Sequence, residues 1–132
     1  MTSDETKNFV KEIFKNTIEN MDATEETYAQ YFSQDYIQHV DGKTLNYTDF
    51  IAHMKAQKNV IKSAKVTFKH IITEGDTVAT VHIVNGIKKD GGAIEAQVNA
   101  LFKIQNKKVV LCDELTHLIK GEKSDRDLGS RH

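Results

Sequence analysis

Cys112 is the only cysteine in the chain. One cysteine excludes an internal disulfide framework and suits a reducing compartment. Long apolar runs are also missing, and none approaches the roughly 18 residues that a transmembrane helix needs. The opening residues, Met1 to Asn8, are polar and acidic, which excludes a secretory signal. The expectation is a soluble, cytoplasmic protein with no membrane partner. Neither sign of charge dominates: 19 acidic and 18 basic side chains leave a net charge of −1. That balance argues against a mainly electrostatic nucleic-acid binder. Proline is absent too, and nothing about the fold follows from that.

What is present is ordinary for a globular domain. The 132 residues are 39% hydrophobic and 28% charged, enough for one domain that buries about two-thirds of its unfolded surface without staples. Phe9, Val10, Ile13, Phe14, Thr17, Ile18 and Met21 recur at spacings of one, three and four, which places them on one helical face. Thr2 with Glu5 is a capping box before that run. Asp22 with Glu25 starts a second, shorter helix carrying Tyr28, Tyr31 and Phe32. Asn46 with Asp49 starts a third, with Phe50, Ile51 and Met54 inward.

Beyond about residue 63 the period changes to two, the signature of strands. Turn residues at Glu74-Gly75-Asp76, Asp90-Gly91-Gly92 and Gln105-Asn106-Lys107 divide this half into strands at about 64–74, 77–88, 93–105 and 108–119. Such short turns imply an antiparallel meander. Helices followed by strands give an α+β class, with helices packed on one face of a sheet. One domain spans residues 1–121, and residues 122–132 form a polar, loosely held tail.

Alternation assigns the faces. Ile94, Ala96, Val98, Ala100, Phe102 and Ile104 share one side of the third of these strands, opposite Glu95, Gln97, Asn99 and Lys103. The apolar set faces the helices, because a one-residue slip would bury the charges. In the strand before it, Ala79, Val81 and Ile83 form the cleaner apolar row, opposite Thr80 and His82. The last strand is ambiguous. One face holds Val110, Cys112, Glu114, Thr116 and Leu118, and the other holds Val109, Leu111, Asp113, Leu115 and His117. If the first set is inward, Glu114 is a carboxyl in an apolar concavity. Leu111 and Leu115 then join Leu101 in an outer patch of the kind that makes a subunit interface.

The order helix, short helix, Tyr-Phe-Ser-Gln-Asp-Tyr-Ile-Gln-His (31–39), helix and four strands resembles the nuclear transport factor 2-like superfamily. Within it, the chain is most similar to the SnoaL-like branch, which includes polyketide cyclases. The resemblance rests on Asp35-Tyr36-Ile37-Gln38-His39, Gly75-Asp76-Thr77-Val78 and Lys108-Val109-Val110, and covers about residues 5–121. It implies a curved sheet wrapped by helices into a cone with a pocket at its open end. Family members carry Tyr-Ile-Gln-His at that pocket, matched here by Tyr36 to His39. Many also carry Glu-His-Trp-Asp on the last strand. Aligned by Lys108-Val109, that motif falls on Leu111, Cys112, Asp113 and Glu114, so Glu114 stands where the family has Asp. The family's Trp is replaced by Asp113, and the Pro that follows its histidine segment is missing. Ketosteroid isomerase shares the fold, but its base and oxyanion donors fall at about Val40, Phe14 or Lys15, and Ala100. None of these can do that chemistry.

The resemblance implies a pocket for a small hydrophobic organic molecule. It also implies cofactor-independent acid–base chemistry on a carbonyl compound: cyclisation, isomerisation or hydration. Glu114 is the proton-transfer candidate, and His39 its partner or a substrate orienter. The competing reading makes Glu114 a paired, half-buried glutamate and His39 a loop-edge histidine bonded to backbone. Tyr28, Tyr31, Tyr36, Phe50, Met54 and Phe102 are candidates to line the pocket with Cys112, although most such residues are plain core. A Cys112 nucleophile beside His39 competes with an inert buried thiol. His53, His70, His82 and His117 lack the tight spacing of metal ligands, and His82 and His117 are expected on the outer face near Asp113. Neither a metal nor a cofactor is expected. Lys55, Lys58, Lys62, Lys65 and Lys69 straddle a helix end and read as a solvated face. The second hypothesis is a non-catalytic binding or interaction domain. A pocket of roughly 300 Å3 or more favours the ligand reading, and a closed cone with a broad apolar outer face favours the second. The family often forms homodimers through the sheet.

Overall fold

Two capping boxes start the helices where the sequence placed them. In the computed structural model, Thr2 Oγ1 accepts from the Glu5 amide and Glu5 Oε1 accepts from the Thr2 amide, opening α1 (Ser3–Thr17). Asn46 and Asp49 exchange the same pair of bonds ahead of the third helix. Each box satisfies two amides that a helix start would otherwise leave bare. The structure describes residues 1–122 and 125.

The elements run α1, α2 (Glu25–Tyr31), β1 (Phe32–Val40), β2 (Lys43–Leu45), α3 (Tyr47–Val60), β3 (Ile61–Glu74), β4 (Thr77–Lys88), β5 (Ala93–Gln105) and β6 (Lys108–Lys120). The six strands form one sheet in the order β2-β1-β6-β5-β4-β3. All neighbours are antiparallel except β1 and β6, which run parallel. The expected α+β architecture and the meander β3–β6 are therefore present. Its last turn places Asn106 and Lys107 at φ 53° and 60°, the conformation that matches the twist of a two-residue hairpin.

Four features differ from the sequence expectations. The segment around residues 32–45 forms two strands. Its alternation is hidden because a register shift between Phe32 and Ile37 interrupts it and because its inner face carries Gln38. The second helix starts at Glu25 after Thr24, not at Asp22, and Phe32 begins β1. On β4 the faces are inverted: Val78, Thr80, His82 and Gly86 point inward, and Ala79 is exposed. On β6 a bulge between the pairs Lys103–Leu111 and Ile104–Val109 brings Val109, rather than Val110, into the core.

Such bulges also bend the sheet. Further shifts lie between Phe68 and His70 on β3 and between Glu95 and Ala96 on β5. The concave face receives α1 and α3, and the core joins Val10, Ile13 and Phe14 to Phe50, Met54 and Phe102. Beyond β6, Asp125 is 2% exposed, and its carboxylate accepts from Lys88 Nζ at 3.3 Å and from the Glu122 amide at 2.9 Å. This part of the tail is thus tied to β4, contrary to the loosely held tail expected. Arg126, Asp127 and Leu128 of that tail lie outside the described residues. Among the described residues no helix is long and apolar enough to cross a membrane.

Candidate functional site

The helices do not fill the concave face. Between α1, α3 and the sheet lies a cavity of about 160 Å3, whose wall is mostly apolar and includes Phe14, Phe32, Phe50, Met54, Val98 and Phe102. It falls short of the roughly 300 Å3 named above as favouring the ligand reading for a drug-sized molecule. A cavity of about 150 Å3 is known to hold benzene, so the space matches one ring.

Strand parity decides which polar groups reach this cavity. On β1, Tyr36, Gln38 and Val40 point inward, and His39 points outward. On β6, Cys112 and Glu114 point inward beside them, since Gln38 pairs with Cys112 and Val40 with Glu114. The result is a chain of side-chain hydrogen bonds. Tyr36 Oη donates to Gln38 Oε1 at 2.8 Å, and Gln38 Nε2 donates to Glu114 Oε1 at 2.9 Å. The Gln38 amide is thereby held in one orientation, with each end engaged by a different partner.

The electrostatics of Glu114 are a contest. Burial in the cavity wall pushes its pKa up, and the nearby charges of Asp41 and Asp113 push the same way. Hydrogen bonds from Cys112 and Gln38 favour the ionised form and push it down. Burial prevails, and the pKa reaches about 7. A carboxyl at that value offers both an acid and a base near neutral pH. Burial also raises the Tyr36 and Cys112 pKa values well above their ordinary ranges. Cys112 is therefore a protonated thiol, a poor nucleophile.

The structure brings together Tyr36, Phe50, Met54, Phe102, Cys112 and Glu114 on the cavity wall. It does not bring in His39. That residue lies on the outer face, where Nδ1 is 3.0 Å from Thr44 Oγ1, so the expected His39–Glu114 pairing does not form. Tyr28 and Tyr31 also lie off the cavity wall. Tyr28 is buried against Phe50, and Tyr31 Oη accepts from Asn16 Nδ2 at 2.8 Å. Several polar residues of the cavity wall were not named for the site by the sequence reading, among them Gln38 and His82. Gln38 sits inside the Tyr-Ile-Gln-His segment and shares the parity of Tyr36, which was the available signal. His82, expected outside, is buried on the inner face of β4. His117 is exposed on β6, as its parity implied. Among the described residues no cluster of three His, Cys, Asp or Glu side chains is placed to hold a metal ion.

Comparison with known proteins agrees with this architecture. A family model for the SnoaL-like domain matches residues 10–112. An uncharacterized protein of Schizosaccharomyces pombe is 31% identical over 128 residues, covering 97% of this chain and 98% of that one. Among solved structures, AclR from Streptomyces galilaeus superposes with a TM-score of 0.75 at 15% identity, covering 99% of this chain and 89% of that one. A Mycobacterium tuberculosis epoxide hydrolase superposes with a TM-score of 0.70 at 18% identity, covering 87% and 84%. With a family match across most of its length and the curved, helix-wrapped sheet to go with it, this chain belongs to the SnoaL-like family.

Proposed function

We propose that the protein binds a small organic molecule in the cavity and moves a proton on it through Glu114, without a cofactor. The observation that carries this reading is a carboxyl with a pKa near 7 on the wall of an apolar cavity, held in place by Gln38. Glu114 would take a proton from a carbon or oxygen of the ligand, or deliver one, in an isomerisation, ring closure or hydration of a carbonyl-type compound. Tyr36 and Gln38 would position the carboxyl, and the aromatic wall would hold the ligand and exclude water. The epoxide hydrolase among the structural neighbours makes addition of water to a strained ring worth screening beside carbonyl chemistry. The lone thiol suits a cytoplasmic location.

The test is a carbon-detected NMR titration of Glu114, followed by substrate screening against wild type and Glu114→Gln. A midpoint near 7 and an activity lost in the variant are expected. A midpoint at or below about 4.5, or activity that survives the substitution, would overturn the proposal.

A second reading, a homodimer or protein-interaction domain, is favoured by the outer sheet face. Ile72 and Leu115 are each 67% exposed there. Ile72, Ala79 and Leu101 form one continuous row across β3, β4 and β5. An exposed apolar row of this sort supports an association surface. The two readings are compatible, because the cavity and this row lie on opposite faces of the sheet.

A further inference from the structure

The cavity carries a second polar pole, away from Glu114. His82 is 2% exposed, yet it lines the cavity. Its Nδ1 lies 2.9 Å from Thr80 Oγ1. The Phe14 ring packs edge-on at 4.8 Å and the Phe68 ring is tilted at 5.5 Å, which holds the imidazole in place. Burial pushes its pKa down to about 4, so the ring is neutral at pH 7. In a neutral imidazole one nitrogen donates and the other accepts. The Thr80 contact occupies Nδ1, so Nε2, at the end of the ring away from the backbone, keeps the complementary role.

The register separates this pole from Glu114. Glu114 pairs with Ala100, which pairs with Thr80, while Thr116 pairs with Val98, which pairs with His82. Two strand spacings and two residues place the Cα atoms on the order of 12 Å apart along the sheet. Both side chains point into the concavity. The residue between Glu114 and Thr80 is the small Ala100, flanked on the same strand by the cavity residues Val98 and Phe102. The cationic group at the cavity, Lys58, has its ammonium donating to the Thr17 and Asn20 carbonyls at 3.1 and 2.7 Å. The cavity therefore offers Glu114 with Gln38 on β6 and β1 and His82 on β4, an aromatic middle and no cation aimed at an anion, with Thr17, His53, Gln57 and Thr116 as further polar groups of its wall.

We infer that the ligand is an uncharged, one-ring-sized molecule with two polar groups, one bound at Glu114 and Gln38 and the other at Nε2 of His82. This rests on the reading of the cavity given under Proposed function, and it makes His82 a specificity-determining residue. A molecule with one polar group satisfies only one pole, and it leaves the other facing carbon.

Phenol, benzene-1,3-diol and benzene-1,4-diol test this, with binding measured by calorimetry and His82 observed by 15N NMR. Phenol is expected to bind, and the better diol about tenfold tighter, the worth of one added hydrogen bond in a desolvated site. The diol should shift the His82 Nε2 resonance, and phenol should not. In His82→Phe the diol advantage should disappear while phenol affinity stays within about threefold. Diols no tighter than phenol, a diol advantage that persists in His82→Phe, or an unmoved Nε2 resonance would overturn the inference. The resonance in wild type decides the matter even if the variant does not fold. Failure of all three probes to bind would instead overturn the cavity reading itself.

Discussion

Replacing Glu114 by glutamine should stabilise the protein at high pH and leave its stability at low pH nearly unchanged. The glutamine side chain has the shape of the protonated carboxyl and can still accept from Gln38 Nε2. The folded protein holds the Glu114 proton up to about pH 7, whereas an unperturbed glutamate releases it near 4.5. Below 4.5 the group is protonated in both states and contributes no difference. As pH rises from 4.5 to about 7, the unfolded chain ionises and the folded one resists, so wild-type stability falls. At about 1.4 kcal/mol per pH unit, this interval costs about 3 kcal/mol, an upper figure because the residue is half-buried and water screens part of the effect. Above pH 7 the cost is constant. Glu114→Gln removes it, so denaturant unfolding of both proteins from pH 4 to 9 should give a stability difference that grows through that window and then levels. Taking the difference cancels the titration of other groups. A difference that is flat with pH, or that favours wild type at pH 8, would refute the account of Glu114 as a carboxyl desolvated by the fold. The expected pattern also has a functional sense: a group whose burial lowers stability is retained where that group does chemistry.

The remaining expectations concern neighbouring parts of the structure. Gln38→Leu removes a donor that favours the ionised form, so the Glu114 midpoint should rise further in an NMR titration. The same change should cost about 1–3 kcal/mol for the stranded Tyr36 hydroxyl, whereas His39→Ala, on the outer face, should leave the Glu114 midpoint where it was. Lys88→Met removes the cationic partner of the buried Asp125 carboxylate, and the denaturation midpoint should fall. Asp90→Asn, which removes an exposed partner of Lys88 at 3.8 Å, should leave that midpoint unchanged. If the outer row Ile72–Ala79–Leu101 with Leu115 forms an interface, sedimentation should show a dimer in wild type and a monomer in Leu115→Asp. A wild-type monomer at micromolar concentration would count against that interface.

Local information was enough for much of this protein. The capping boxes at Thr2 and Asn46 are encoded within four residues each, so the starts of α1 and α3 were legible. The hairpin β3–β6 boundaries follow from turn residues, and the inner face of β5 follows from strict alternation of apolar and charged side chains. The placement of Glu114 in a concavity could be stated as one of two options, since both faces of β6 carry apolar residues.

Tertiary structure decided the rest. β1 has no clean period because it pairs in parallel with β6 across a register shift, and its inner face carries Tyr36 and Gln38, whose polar atoms satisfy each other. The same parity sends His39 outward, so the residue named by its type is replaced at the site by the one beside it. On β4, Thr80 and His82 face inward against the simpler hydrophobic choice. That burial is affordable because Thr80 and His82 hydrogen-bond to each other and because Phe14 and Phe68 pack on the imidazole. Buried polar groups are placed by their partners rather than by their own hydrophobicity, and partners far apart along the chain become known only when the sheet is assembled. Sequence alone thus determined the starts of α1 and α3, the meander and the family. The cavity, its two polar poles and the elevated pKa of Glu114 depend on which strands lie side by side.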